Sequence, residues 1–134
     1  MSKLSLIEGI GSVYEEKLKA AGVGSVEKLL SVCSGKKGRN SLAEATGIPE
    51  KTILKWANHA DLFRIRGVGG EYAELLEAAG VDTVPELSKR KGENLLSKMA
   101  EVNQKKKLVR RLPVQTQVDD WIRQAGELPR VLTY

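Results

Sequence analysis

One cysteine, one histidine and six aromatic residues in 134 positions close off several functions at once. Cys33 alone cannot form an internal disulfide, which points to a reducing compartment. It falls at the end of a short helical stretch with no base beside it in sequence, so a nucleophilic role is not expected. His59 has no second histidine and no nearby cysteine to complete a metal-ligand set, and reads as a packing or capping residue. The aromatics Trp56, Trp121, Tyr14 and Tyr72 sit at helical spacing on apolar faces, so core positions are expected rather than a base-stacking platform. No phosphate-binding loop ending in Lys-Ser/Thr, no carboxylate set at metal spacing and no hydrolase signature occurs. A non-enzymatic chain with no metal, cofactor or small-molecule substrate is the expectation. No apolar run approaches the ~20 residues of a membrane-spanning helix. Met1-Ser2-Lys3 does not open a secretory signal, and the expected location is cytoplasmic.

What the chain does have is an echo. Residues 7–29 recur at 65–87, and 12 of the 23 positions are identical. Ile7-Glu8-Gly9-Ile10-Gly11 opens the first stretch and Ile65-Arg66-Gly67-Val68-Gly69 the second. Unrelated segments would share about one position, so the pattern reads as an internal duplication. Glycine-hydrophobic-glycine makes a tight turn with close backbone approach. A helix is expected from about Ser12 to Ala21, with Tyr14, Leu18 and Ala21 as its buried stripe, ending at Gly22. Thr83-Val84-Pro85-Glu86 is a helix-start signature, and Ser25 occupies the equivalent place in the first copy.

Further helices are expected at 26–32 and from Pro49 to about Arg64, the latter with Ile53, Trp56, Ala60 and Phe63 inward. Ser34–Asn40 reads as a flexible basic loop, followed by a short helix opened by Ser41-Leu42-Ala43-Glu44. The second copy is expected to continue with helices at 93–101 and 104–111. That would put Lys105, Lys106 and Lys107 in a first turn, where the helix dipole disfavours them. Pro113 breaks the chain, residues 115–126 form a last helix with Val118, Trp121, Ile122 and Ala125 inward, and 127–134 form a tail. Val118, Trp121 and Ala125 reproduce the spacing of Ile53, Trp56 and Ala60. We therefore expect the C-terminal helix to pack beside the first hairpin near Ile7 and Ile10, in its own chain or in a second copy.

The glycine-hydrophobic-glycine turns resemble the helix-hairpin-helix motif. That resemblance implies backbone N–H groups at a helix N-terminus offered to a nucleic-acid phosphate. More closely, the chain resembles an uncharacterised bacterial and archaeal domain-of-unknown-function family built from two such units. Residues 56–62, the Gly67–Leu87 run, Arg110-Arg111-Leu112-Pro113, Val118 and Trp121 carry the resemblance. It implies an all-α fold (a SAM-like, helix-hairpin-helix architecture) of two tandem units closed by a C-terminal helix, with boundaries at 1–60, 61–112 and 113–134. It implies no particular activity.

Charge separates two functional readings. The net charge is +5, yet residues 89–111 alone hold nine basic against two acidic residues, leaving the rest slightly acidic. Such a segment favours polyanions through counterion release. The nucleic-acid reading, for DNA or RNA, therefore rests on the turn residues Gly9, Gly11, Ser12, Arg66, Gly67, Gly69 and Gly70. Its cations are Lys36, Lys37, Arg39, Lys89, Arg90, Lys91, Lys105, Lys106, Lys107, Arg110 and Arg111. Contacts of this kind go to the sugar-phosphate backbone and carry little base specificity. The alternative is a protein–protein scaffold or adaptor, including self-association through the C-terminal helix. Glu15, Glu16, Glu71 and Glu74 favour it, because they stand where DNA-binding hairpins place Lys or Arg.

Overall fold

Leu18 and Leu76 close their helices in the same way. In a computed structural model describing residues 2–134, Val23 N–H returns to the Leu18 carbonyl at 2.8 Å, and Val81 N–H to Leu76 at 2.8 Å. Gly22 (φ +87°) and Gly80 (φ +95°) take the left-handed conformation between them, and their N–H groups bond Lys19 and Glu77 at 3.0 Å. This is the Schellman ending, sealed by the buried valines against the buried leucines.

Among the described residues the fold is all-α: eight helices, a single 3-10 turn at Leu4–Leu6, and no strand. The chain divides into two compact units. Unit one comprises Met1–Asp61 with Val131–Tyr134, and unit two Leu62–Arg130. Unit one holds α1 (Ser12–Ala20), α2 (Val26–Val32), α3 (Lys36–Thr46) and α4 (Glu50–Leu62, whose last residue begins unit two). Unit two holds α5 (Gly70–Ala78), α6 (Val84–Ser88), α7 (Gly92–Lys106) and α8 (Gln115–Glu127).

Helix starts follow local chemistry. Ser25 caps α2 by accepting from Lys28 N–H at 3.1 Å. At α6 the Thr83 hydroxyl instead donates to the Glu86 carboxylate (3.3 Å), which also accepts from Asp82 N–H (3.3 Å). In unit one the buried apolar residues Ile7, Leu18, Leu29, Ile53 and Trp56 are each at most 2% exposed. Unit two's core gathers Ile65, Leu75, Leu76, Leu87, Leu95, Met99, Val118 and Trp121. There α8 packs on α6 and α7.

Several expectations are corrected. Residues 36–40 are not a loop: α3 begins at Lys36 and runs through Ser41, ending at Gly47 in the left-handed conformation. Two contacts override the turn-forming composition. Gly38 lies so close to the Val32 carbonyl that a Cβ would overlap it, and Arg39 is 1% exposed. A single helix replaces the expected 93–101 and 104–111. It carries Lys105 and Lys106 in its last turn, where the dipole favours cations. The C-terminal helix belongs to unit two, and Trp121 lies beneath Gly67 and beside Tyr72 (ring centroids 5.2 Å). The place under the first hairpin is filled by Trp56, packed edge-on to Tyr14 at 5.1 Å. Residues 131–134 are no loose tail. Leu132 is buried, Thr133 N–H donates to the Ser34 carbonyl at 2.7 Å, and the Tyr134 hydroxyl meets Asn58 Oδ1 at 3.1 Å.

Candidate functional site

The second hairpin is clamped from below. Ile65 and Val68 are buried, and a Val68 N–H to Ile65 carbonyl bond (3.1 Å) closes the turn. Gln124 on α8 grips the backbone of Arg66, accepting from its N–H at 2.8 Å and donating to its carbonyl at 3.1 Å. The same amide donates to Asp120 at 2.8 Å, and Arg123 beside Asp120, together with that bond, holds its carboxyl below the usual carboxylate range. Gly67, at φ +98°, lies against the Trp121 indole, leaving 2.9 Å between Nε1 and the point where a Cβ would stand. Gly67, Gly69 and the Arg66 side chain remain exposed. The first intrahelical bond of α5 is Ala73 N–H to the Gly69 carbonyl at 2.8 Å, so the amides of Gly70, Glu71 and Tyr72 precede the ladder.

The basic segment is built as a fixed loop. Asn103 clasps Val109, donating to its carbonyl (3.1 Å) and accepting from its N–H (3.0 Å). Val109 is buried and Leu108 half-buried, which turns Lys105, Lys106, Lys107, Arg110 and Arg111 outward, all exposed. Lys107 ends α7 in the left-handed conformation at φ +51°, the one non-glycine at positive φ among the described residues. The Tyr72 hydroxyl donates to the Arg111 carbonyl at 3.1 Å, bringing the Arg110–Arg111 segment onto the first turn of α5.

The other candidates scatter. In unit one Gly9, Gly11 and Ser12 are exposed at the first hairpin, with Trp56 under Gly9 (φ +96°), but Glu8 replaces Arg66 there. Lys36 and Lys37 are exposed in the first turn of α3. Arg39 is no surface cation. Its Nη1 donates to the Cys33 carbonyl at 2.9 Å, its Nε pairs with Glu50 at 3.4 Å, and its guanidinium lies 5.6 Å from the Tyr134 ring centre. In unit two Lys89 and Lys91 are exposed, Arg90 and Gly70 half-buried.

Two clefts open on unit two. One, of about 260 Å³, is lined by Arg64, Arg66, Gln124, Glu127 and Leu128 and falls below the usual ligand-pocket range of roughly 300–1,000 Å³. The other, about 480 Å³, opens at the start of α7, where the Asp119 carboxylate closely approaches Gly92. Among the described residues no cluster of His, Cys, Asp or Glu could hold a metal. Burial pushes the Cys33 thiol up to about 11, and His59 is buried.

Three positioning residues escape a reading of the sequence alone: Gln124, Asn103 and the hydroxyl of Tyr72. Their available signal was polarity on an inward helix face, as with Gln124 between Trp121 and Ala125. The partners they bond are backbone atoms, which composition does not reveal.

The family model described as Domain of unknown function (DUF4332) matches residues 8–128. No curated protein and no solved structure matches the chain.

Proposed function

The chain belongs to the DUF4332 family, a domain of unknown function, and from its own surface we propose a non-enzymatic module that contacts nucleic-acid backbone without sequence preference. In this reading the units are two tandem helix-hairpin-helix-like elements arising by duplication, and only the second hairpin is equipped for phosphate. The supporting observation is the Tyr72–Arg111 hydrogen bond. No cation follows the second glycine in sequence, but Arg110 and Arg111 are delivered there from about forty residues along the chain. Arg66 stands in the turn itself, and Lys105, Lys106 and Lys107 extend the basic surface. Phosphate contacts by such groups release counterions and work on duplex or single strand alike. A reducing, cytoplasmic setting accords with the lone Cys33. Among the described residues no helix is long and apolar enough to cross a membrane.

Anisotropy of a labelled 20-mer duplex and a labelled single strand, titrated at several salt concentrations, tests this reading. If the five exposed cations of the Lys105–Arg111 segment each meet a duplex phosphate, log K against log salt falls with a slope of about −4.5. Replacing Lys105, Lys106 and Lys107 with Glu should flatten that slope by about 2.7 or more. No binding at low salt, or a slope untouched by the triple replacement, defeats the proposal.

A further inference from the structure

The two hairpins differ most in what covers them. In unit two the connection from α7 to α8 runs over residues 107–114 and lays the Arg111 carbonyl on the Tyr72 hydroxyl. In unit one the corresponding connection is residues 47–49, and three residues span at most about 10 Å. Tyr14, the equivalent of Tyr72, is 38% exposed, and its hydroxyl has no hydrogen-bond partner among the described residues. Around it the surface changes character. Leu6 (51% exposed) stands at the position of Arg64, Val13 (64%) at that of Glu71, Glu8 at that of Arg66 and Glu15 at that of Ala73. Three of the five exposed large hydrophobic residues among the described residues therefore flank this one turn. The nearby charges are the carboxylates of Glu8, Glu15 and Glu16 and the amines of Lys3, on the turn of Leu6, and Lys17, one helical turn on from Val13; Lys19 lies further along α1.

We propose that the Leu6–Val13–Tyr14 face is a docking site for an extended, cation-bearing segment of a partner protein. The segment meets Tyr14 as the Arg111 carbonyl meets Tyr72 in unit two. Unit two supplies the template for the first of its contacts, and the side chains of unit one set the other two. A main-chain carbonyl of the segment accepts the tyrosine hydroxyl, an apolar side chain rests on Val13 and Leu6, and Lys or Arg faces Glu8, Glu15 and Glu16. The same carboxylates repel a phosphate backbone, so the occupant is a basic peptide and not nucleic acid. This inference stands apart from the nucleic-acid reading, because it concerns the other unit and the opposite charge.

The probe is a labelled decapeptide with the sequence of residues 105–114, titrated by anisotropy into the intact chain at low salt. It should bind the wild-type protein. Tyr14→Phe, which keeps the ring on Trp56, should weaken it about three- to tenfold. Glu15→Lys with Glu16→Lys should abolish binding, and Tyr72→Phe should leave it unchanged. A peptide that fails to bind, or binds all these variants alike, overturns the proposal. So does a duplex 20-mer whose affinity drops on Val13→Glu, which would make the face part of a nucleic-acid site. If sedimentation shows a dimer of the chain that Val13→Glu dissolves, the occupant is a second copy and the proposal also fails.

Discussion

Gly67→Ala and Gly9→Ala form a pair in which one energetic contribution can be isolated. Both glycines hold nearly the same backbone angle, φ +98° and +96°, so an alanine meets the same conformational strain at each, about 1–2 kcal/mol. They differ in the room above the tryptophan. A Cβ at Gly9 would lie 3.4 Å from Trp56 Nε1, an ordinary contact, whereas one at Gly67 would lie 2.9 Å from Trp121 Nε1. Trp121 is 2% exposed and wedged beside Tyr72, so it cannot retreat without disturbing the core of unit two. Overpacking of this kind adds about 1–3 kcal/mol. Gly67→Ala should therefore cost about 2–5 kcal/mol in total and exceed Gly9→Ala by at least about 1 kcal/mol. Gly69→Ser serves as the control. Its φ of −105° suits any residue, nothing lies within 4 Å of its Cβ position, and the serine can cap α5. It should stabilise by about 0.5–1 kcal/mol. Urea unfolding followed by circular dichroism, with coincident tryptophan fluorescence, measures all three. Equal costs for the two alanines would refute the close approach of Trp121 to the turn, and with it the account of how α8 supports the hairpin.

Arg39→Met should destabilise the chain by about 3 kcal/mol, because it strips the Cys33 carbonyl and Glu50 of a buried partner, with Glu50 near enough to solvent to limit the loss. Nucleic-acid affinity, measured where both proteins are folded, should not change. Cys33 should resist alkylation at pH 8 until urea unfolds the chain. The folded thiol keeps its proton to about pH 11, while the unfolded one releases it near 9. Thiolate formation therefore favours the unfolded state, and the contribution from Cys33 is full below pH 9 and is lost as pH rises to 11, on the order of 2 kcal/mol. Stability unaffected by Cys33→Ala in its pH dependence across that window would contradict the burial. Lys107→Gly should raise stability by about 0.5–1 kcal/mol by relieving the left-handed backbone, and should flatten the salt dependence of nucleic-acid binding by about 0.9. Thermal melts and the anisotropy titration read the two effects separately.

Local rules exposed much of this architecture. The glycine turns, the valine-sealed helix ends and the inward stripes of α4 and α8 are each written within a dozen residues, so periodicity and capping located α1, α2, α4 and α8. Elsewhere a distant contact decides the local structure. Ser34-Gly35-Lys36-Lys37-Gly38-Arg39-Asn40 has the composition of a loop, yet Gly38 is small because α3 presses on the end of α2, and Arg39 is inside because its partners are. The lysines at 105–107 are misplaced only if a helix starts at 104. Once α7 extends from Gly92 to Lys106 they fall at its favourable end. The matching spacing of Trp56 and Trp121 was real, but each ring supports the hairpin of its own unit, at Gly9 and Gly67 respectively. The spacing alone points the C-terminal helix to the first hairpin, near Ile7 and Ile10, a place that Trp56 fills.

Differences between the units are concentrated where the candidate functions lie. The two sequences run 58 residues apart through the hairpins and 65 apart at the tryptophan helices, Glu50–Leu62 and Gln115–Glu127, which have the same length. The shift comes from α7, four residues longer than α3, and from a following connection five residues longer, outweighing a slightly shorter α6. Into that extra length fall Lys105, Lys106, Lys107, Arg110 and Arg111, five of the nine cations between 89 and 111. The clasp by Asn103 and the hydrogen bond from Tyr72 then fix the surplus segment against the hairpin. A solubilising charge run needs neither restraint, and an unrestrained loop would not require a lysine in a strained backbone conformation. The added residues are thus held in place as well as charged, and the unit that lacks them keeps its hairpin tyrosine open to solvent.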